Sequence, residues 1–297
     1  TFRKQKEIGW IPADAKLTPR AESMASWEPI PEAERPFQRR LMEIFAGFTE
    51  HVDAQAGRIL DELERLGVRN DTIVFYVVGD NGASAEGQRG SISELLAQNG
   101  IPTTIEQQLA ALARRGGLPA LGGPKVDNMF HAGWAWGCDA PFRSTKLVAE
   151  HFGGIRNPLA IAWPARIRHD ATPRPQFHHV NDLAPTIYEI AGIKPPRAVD
   201  GVPQDPIDGI SMVYTFDDAS VPTRKTTQYF ENAGGRGLWH EGWFAGAFGP
   251  LVPWDTAGSA AAIKVWNPDT EPWELYDLRS DYSQADDLAA KDPDKLA

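Results

Sequence analysis

The sequence predicts an α/β fold in two parts: a larger α/β region over residues 1–221 and a small antiparallel β subdomain over residues 222–297. Three observations carry that prediction. Between Phe37 and Leu66, apolar residues recur at three- and four-residue steps, which places them on one face of a helix. Thr72–Val78 and Leu159–Trp163 are short apolar runs without polar alternation, the habit of parallel strands covered on both faces. Past residue 222 the texture changes to short strand candidates separated by Gly, Pro and Asp turns.

Taken in order, the first thirty residues are Pro-rich and aperiodic (WIPADAKLTPR, WEPIPEAERP) and read as an irregular arm laid over another surface. The helix that follows ends at Leu66, and Gly67 suits its C-terminal cap. Arg69-Asn70-Asp71 turns the chain into the first strand, and Gly79-Asp80-Asn81-Gly82 follows that strand directly. Residues 83–128 have the look of an insertion. They hold a short helix within Ser91–Asn99 and a better one over Thr103–Arg115, with Thr103 and Glu106 as a capping box. Met129–Trp136 reads as an aromatic loop, Phe142–Phe152 as weakly helical, and Asn181–Ala191 as a helix capped by Asn181 or Asp182 and closed by Gly192. In the subdomain, Thr226–Phe230, Gly237–Phe248, Ala261–Trp266 and Trp273–Leu278 are the strand candidates.

Bulk composition narrows the function. The 297 residues are 42% hydrophobic and 24% charged, close to the globular average, which excludes wholesale disorder. Lys and Arg number 30 against 40 Asp and Glu, a net charge of -10 that argues against a nucleic-acid partner. No apolar run approaches the roughly 18 residues of a membrane span, and TFRKQKEIGW lacks a signal-peptide core. A soluble chain is expected, with the compartment open between cytoplasm and periplasm. The single cysteine, Cys138, forbids an internal disulfide and a Cys-built zinc site. The 27 Gly, 24 Pro and 10 Trp predict many turns wrapped around aromatic packing.

In open α/β sheets, ligands sit beyond the carboxyl ends of strands, which is where Asp80 and Asn81 fall. A carboxylate beside an amide carbonyl offers two hard oxygen donors suited to Ca²⁺ or Mg²⁺. On spacing alone a plain Asp-Asn-Gly turn is the better reading, since these residues dominate turns. Lys146 lies ahead of Gly153-Gly154 and is either a solvated lysine or a point charge for an anionic oxygen. His131, among apolar residues, is either packed or part of an aryl pocket beside Trp134 and Trp136. His178-His179 is too isolated to make a metal pair, and Cys138 has no partner at a telling spacing.

Read together, four stretches resemble the sulfatases of the alkaline-phosphatase-like superfamily, and more narrowly the long bacterial arylsulfatases. They are ELERLGVRNDTIVFYVVGDNGASAEG, AGWAWGCDAPFRSTKLVAEHFGGIRNPLAIAWPARI, FHHVNDLAPTIYEIAGI, and QYFENAGGRGLWHEGW with WELYDLRSDYSQADDLA. They stand in the family's order across most of residues 40–290 and displace the simple-turn reading. The resemblance implies part of a mixed sheet sandwiched by helices. It implies that Asp80 and Asn81 are the second pair of ligands to a divalent cation, usually Ca²⁺, and that Lys146 contacts the sulfate of a sulfate ester substrate. In the family, a formylglycine made from Cys or Ser in Cys/Ser-x-Pro-x-Arg is the nucleophile, and it precedes the Asp-Asn pair by a couple of hundred residues. Here Asp80 has only 79 residues before it. Ser220-Val221-Pro222-Thr223-Arg224 fits the motif literally but follows the pair, and Cys138 stands one residue too far from Pro141. The expectation is therefore a C-terminal half, inactive alone, with the formylglycine and a partner N-terminal half elsewhere. Two rivals remain: a phosphonate monoester or phosphodiester hydrolase of the same superfamily, and a non-catalytic fragment or partner chain.

Overall fold

The computed structural model describes all 297 residues. The arm is not wholly irregular: Phe2–Glu7 forms a short helix, α1, because FRKQKE holds good helix formers and no proline before Pro12. The remainder does lie over another surface. Thr18 donates from its backbone and its hydroxyl to the Pro141 carbonyl (3.2 and 2.9 Å), and Met24 enters the main core.

The predicted long helix runs Arg35–Arg65, α2, with a proline in its first turn and Gly67 at φ 69° beyond its end. Only its first turns are buried. Phe37 and Leu41 join the main core, whereas Phe48 and Ile59 on the same stripe are 64% and 65% exposed.

The first strand, β1, is Val74–Val77, and its partner β2 is Leu159–Ala162. They pair antiparallel, Val74 opposite Ala162 and Val77 opposite Leu159, so the parallel, doubly buried reading is corrected. An unbroken apolar run fixes neither which way a neighbour runs nor whether both faces are covered. Both strands are partly exposed, Val77 at 38% and Leu159 at 36%, and α2 lies close enough for Tyr76 to donate to Asp53 at 3.4 Å.

Between the strands, residues 83–128 build the main core rather than hanging from it. Ala85, Ile92, Ile105, Leu112 and Leu121 pack with Phe37, Leu41 and Phe130. The helices here are α3, Glu94–Gln98, and α4, Ile105–Ala113. The capping box falls one residue later than expected: Thr104 accepts from the Gln107 backbone, and Gln107 answers to the Thr104 N–H. Thr103 instead accepts from Gln108 at 3.0 Å. The expected aromatic loop is mostly helix, α5, Ala132–Asp139. Alanine content and a His131 cap outweigh its two glycines there. Phe142–Phe152 is not helical. Ser144 and Leu147 sit at φ 62° and 77°, because Arg143, Lys146 and His151 each reach a tertiary partner; a single helical turn, α6, follows at Phe152–Ile155.

Leu183–Ala191 forms α7 as expected, with Gly192 left-handed beyond it. Ala198–Val199 and Val202–Pro203, β3 and β4, make a small hairpin. The tail is an antiparallel sheet in sequence order: β5 Thr227–Asn232, β6 Gly235–His240, β7 Trp243–Ala247 and β8 Trp273–Asp277. Its first two turns, Ala233-Gly234 and Glu241-Gly242, have φ > 0 at both residues, which matches the twist of two-residue hairpins. Ala261–Trp266 is not a strand. It overlaps the Asp255-capped helix α8, Thr256–Ala262, because the Ala-rich run favours helix. A last turn, α9, is Pro293–Leu296. Phe152 packs with Trp239, Phe244 and Tyr276, which fastens this sheet to the loop after Pro141. No helix is long and apolar enough to cross a membrane.

Candidate active site

Gly79 to Gly82 leave the end of β1 and turn beneath the loop that carries Lys146. The loops approach so closely that a Cβ on Gly82 would collide with the Gly153 carbonyl. Only glycine permits this approach. Three hydrogen bonds stitch the loops: Gly82 N–H to Gly154 O (3.0 Å), Lys146 N–H to Ala83 O (3.1 Å), and Ala83 N–H to the Asp139 carboxylate (2.8 Å). Asn157 adds a fourth tie, donating from its amide to Asn81 O at 2.8 Å. Asp80, Asn81 and Lys146 consequently line one open cleft of about 2450 Å³, together with Asn157 and His179. That volume exceeds the roughly 300–1,000 Å³ of a small-molecule pocket, so the cleft is a broad trough.

The donor chemistry at the strand end suits a hard cation. Asp80 is exposed, and Asn81 donates from its amide nitrogen to Gly82 O (2.8 Å), which leaves its side-chain oxygen disengaged. No three His, Cys, Asp or Glu side chains gather there into a cation-holding group. Lys146 pairs with Glu86 at 2.7 Å, and the two side chains are 29% and 15% exposed. Asp139, with one carboxylate oxygen buried and unpartnered, has its pKa pushed up to about 8 by burial against the opposing Ala83 N–H.

Behind Lys146 a buried relay fixes its loop to β8. His151, 1% exposed, lies 2.8 Å from Ser144 Oγ and 2.7 Å from Glu274 Oε2. Tyr276 donates to the same Glu274 oxygen at 2.6 Å, and Arg143 reaches both Tyr276 and Glu274. Burial favours the neutral imidazole of His151. Burial also opposes charge on Glu274, but the His151 and Tyr276 hydrogen bonds and the Arg143 charge outweigh it and hold the pKa at about 2. Ser144, His151 and Glu274 have the order of a nucleophilic triad, yet Ser144 does not line the cleft and His151 is sealed, so the relay is a brace.

A second buried network shapes the far wall. Asp182, fully buried, accepts from Lys225 Nζ (2.8 Å), His178 Nδ1 (2.9 Å), and the His179 and Ile210 N–H groups (2.9 Å each). Burial opposes its charge, but these donors hold its pKa at about 2. Asp182 thus fixes the His178 ring and the His179 backbone.

His131 lies outside the cleft. It is 4% exposed, caps α5 by accepting from Gly133 N–H at 2.9 Å, and its pKa is pushed down to about 4 by burial and by Arg89 and Arg20. The structure thus selects the packed alternative over the aryl pocket. Cys138 is half-buried with its thiol pushed up to about 11 by burial, and Ser220 sits in an exposed turn hydrogen-bonded to Asp218. Neither is a primed nucleophile. Glu86 and Asn157 were not singled out from the sequence. Each lies close to a named motif, in GDNGASAEG and GGIRNP, but only the fold sets Asn157 on the cleft and Glu86 against Lys146 behind it.

Comparison with known proteins gives these groups a family. The chain is 28% identical to an uncharacterized sulfatase of Schizosaccharomyces pombe over 99% of its length and 48% of that protein. It is 27% identical to the arylsulfatase of Klebsiella aerogenes over 70% of its length and 41% of that enzyme. The solved structure of Ps i-CgsB superposes with a TM-score of 0.51 at 16% identity, covering 96% of this chain and 46% of that one, a likeness of fold. The chain therefore spans about half the length of the curated relatives it matches. The sulfatase family model matches residues 12–193, at the front of this chain, and lends no support to reading it as a C-terminal half alone. With a mixed α/β fold of the alkaline-phosphatase-like kind and that match over more than half its residues, the chain belongs to the sulfatase family.

Proposed function

We propose that this chain supplies metal and sulfate ligands to an arylsulfatase-type sulfuric ester hydrolase, which converts a sulfate ester into an alcohol or phenol and inorganic sulfate. The observation that carries the reading is the meeting of Asp80, Asn81 and Lys146 on one cleft. Asp80 and Asn81 would hold Ca²⁺ through a carboxylate and an amide oxygen. Ca²⁺ takes roughly six to eight oxygens, so other residues of the protein complete the shell. When bound, the cation neutralises charge on the sulfate oxygens. Lys146 holds a sulfate oxygen as a point charge and meets the charge that shifts in the transition state. The relay from Ser144 to Glu274 keeps the Lys146 loop in place, so residues 222–297 brace a site carried by residues 1–221. The nucleophile, a formylglycine, is expected outside these 297 residues, because Ser220 and Cys138 are unsuited to the role.

The test uses the intact protein. Asp80→Ala is expected to lose bound calcium and aryl sulfate hydrolysis together. Lys146→Ala is expected to keep calcium while turnover falls about 10²–10³-fold, the cost of one charge-stabilising donor. Unchanged calcium in the first variant, or near-normal turnover in the second, refutes the assignment.

A further inference from the structure

The ammonium of Lys146 is held from one side by Glu86, at 2.7 Å. The carboxylate is itself fixed: Ser84 Oγ donates to Glu86 Oε2 at 2.9 Å and accepts from the Glu86 N–H at 3.3 Å. The Lys146 N–H bond to Ala83 O locks the backbones of the two partners together. With side chains only 29% and 15% exposed, this is not a solvated surface pair. A carboxylate therefore stands against the one lysine proposed to meet a negatively charged substrate.

We propose that Glu86 is a charge-selecting residue. It positions Lys146 and biases the site toward monoanionic sulfate esters over dianionic phosphate monoesters. This rests on the reading of Lys146 as the sulfate contact. The energy of a fixed charge acting on a bound anion scales with the charge of that anion. A sulfate monoester carries one negative charge, whereas a phosphate monoester above pH 7 carries nearly two, its second pKa being about 6. Glu86 thus repels the phosphate twice as strongly as the sulfate ester. Removing its charge multiplies monoanion affinity by some factor and dianion affinity by the square of that factor. For a partly screened charge a few ångströms from the anion, the factor is about threefold, which makes the dianion gain about tenfold.

Perchlorate and inorganic sulfate are tetrahedral oxyanions of similar shape carrying one and two charges, which makes them suitable probes. Their affinities for the intact protein are measured by calorimetric titration at pH 8, beside kcat/KM for an aryl sulfate and the matching aryl phosphate. In Glu86→Gln, perchlorate is expected to tighten about threefold and sulfate about tenfold, with the phosphate-to-sulfate ratio of kcat/KM rising. Glu86→Ala, which also removes the hydrogen bonds, is expected to move the affinity ratio in the same direction, and a thermal melt confirms that both variants fold. A sulfate-to-perchlorate ratio that stays unchanged or falls overturns the proposal, because loss of a purely structural partner would leave the Lys146 charge where it is or displace it, and a displaced cation weakens the dianion more than the monoanion. Lys146→Ala separates the two readings. If it weakens sulfate binding while Glu86→Gln leaves the ratio unchanged or lowered, the Lys146 assignment stands and the Glu86 proposal falls. If it leaves sulfate binding unaltered, both fall.

Discussion

Asp182→Ala tests whether buried charge holds the far wall of the cleft. The substitution removes the acceptor of four hydrogen bonds and leaves Lys225, 5% exposed, with only the Asn181 carbonyl at 3.0 Å. Breaking a buried ion pair from one side costs about 3–5 kcal/mol, chiefly because the remaining charge is stranded. For a chain of this size that is a fall in melting temperature of roughly 6–10 °C. Acid sensitivity gives an independent check. The Asp182 pKa is about 2 in the fold against an ordinary 3.8, so its contribution is fully present above about pH 4 and lost as pH falls through about 2. That difference corresponds to on the order of 2 kcal/mol. Urea unfolding followed by tryptophan fluorescence between pH 2 and 7 is the assay. The alanine variant should show a lower midpoint at pH 7 and a shallower loss of stability below pH 4. Adding Lys225→Met should recover part of the loss, since it removes the stranded ammonium. A loss under about 1 kcal/mol, or a double variant weaker than the single, would refute this account.

Four further outcomes are expected. Gly82→Ala should part the Asp80–Asn81 loop from Gly153 and lower activity of the intact protein at least about tenfold, as a misplacement of reacting groups does; wild-type kinetics would show the loops are not in that contact. Glu274→Gln should lower the thermal midpoint by an amount matching about 1–3 kcal/mol, because His151, Tyr276 and Arg143 lose a charged acceptor; an unchanged melt would mean the relay is not a brace. Lys146→Arg should restore only part of the turnover lost in Lys146→Ala, since a planar fork replaces a point charge; full recovery would refute a point-charge role. Residues 1–297 made alone should hydrolyse no aryl sulfate, and measurable turnover would return Ser220 and Cys138 to consideration as nucleophiles.

The helix from residue 35 to 65, the helix before Gly192 and the antiparallel character of the tail were legible in the sequence, because each rests on contacts within a few residues. The turn at Glu241-Gly242 that splits the single strand expected over Gly237–Phe248 into β6 and β7 was not. Apolar spacing and a left-handed glycine act locally, and the chain spells them out. Local spacing left Asp80 and Asn81 as a plain turn, and only the resemblance across four stretches of the chain drew attention to them as oxygen donors at a strand end. Position along the chain could not show the direction in which Val74–Val77 meets Leu159–Ala162, nor the packing that makes helix of Ala132–Asp139 and turns of Phe142–Phe152. Those outcomes belong to contacts between distant residues. His151 meets Glu274 from 123 positions away, and Glu86 reaches Lys146 only because Gly82 lets two loops touch. The sequence by itself determined which residues can carry charge and which offer oxygen donors. The tertiary structure decided which of them share one cleft and which, like His131, are sealed in the core, because burial and ion pairing depend on what the whole fold places beside each side chain.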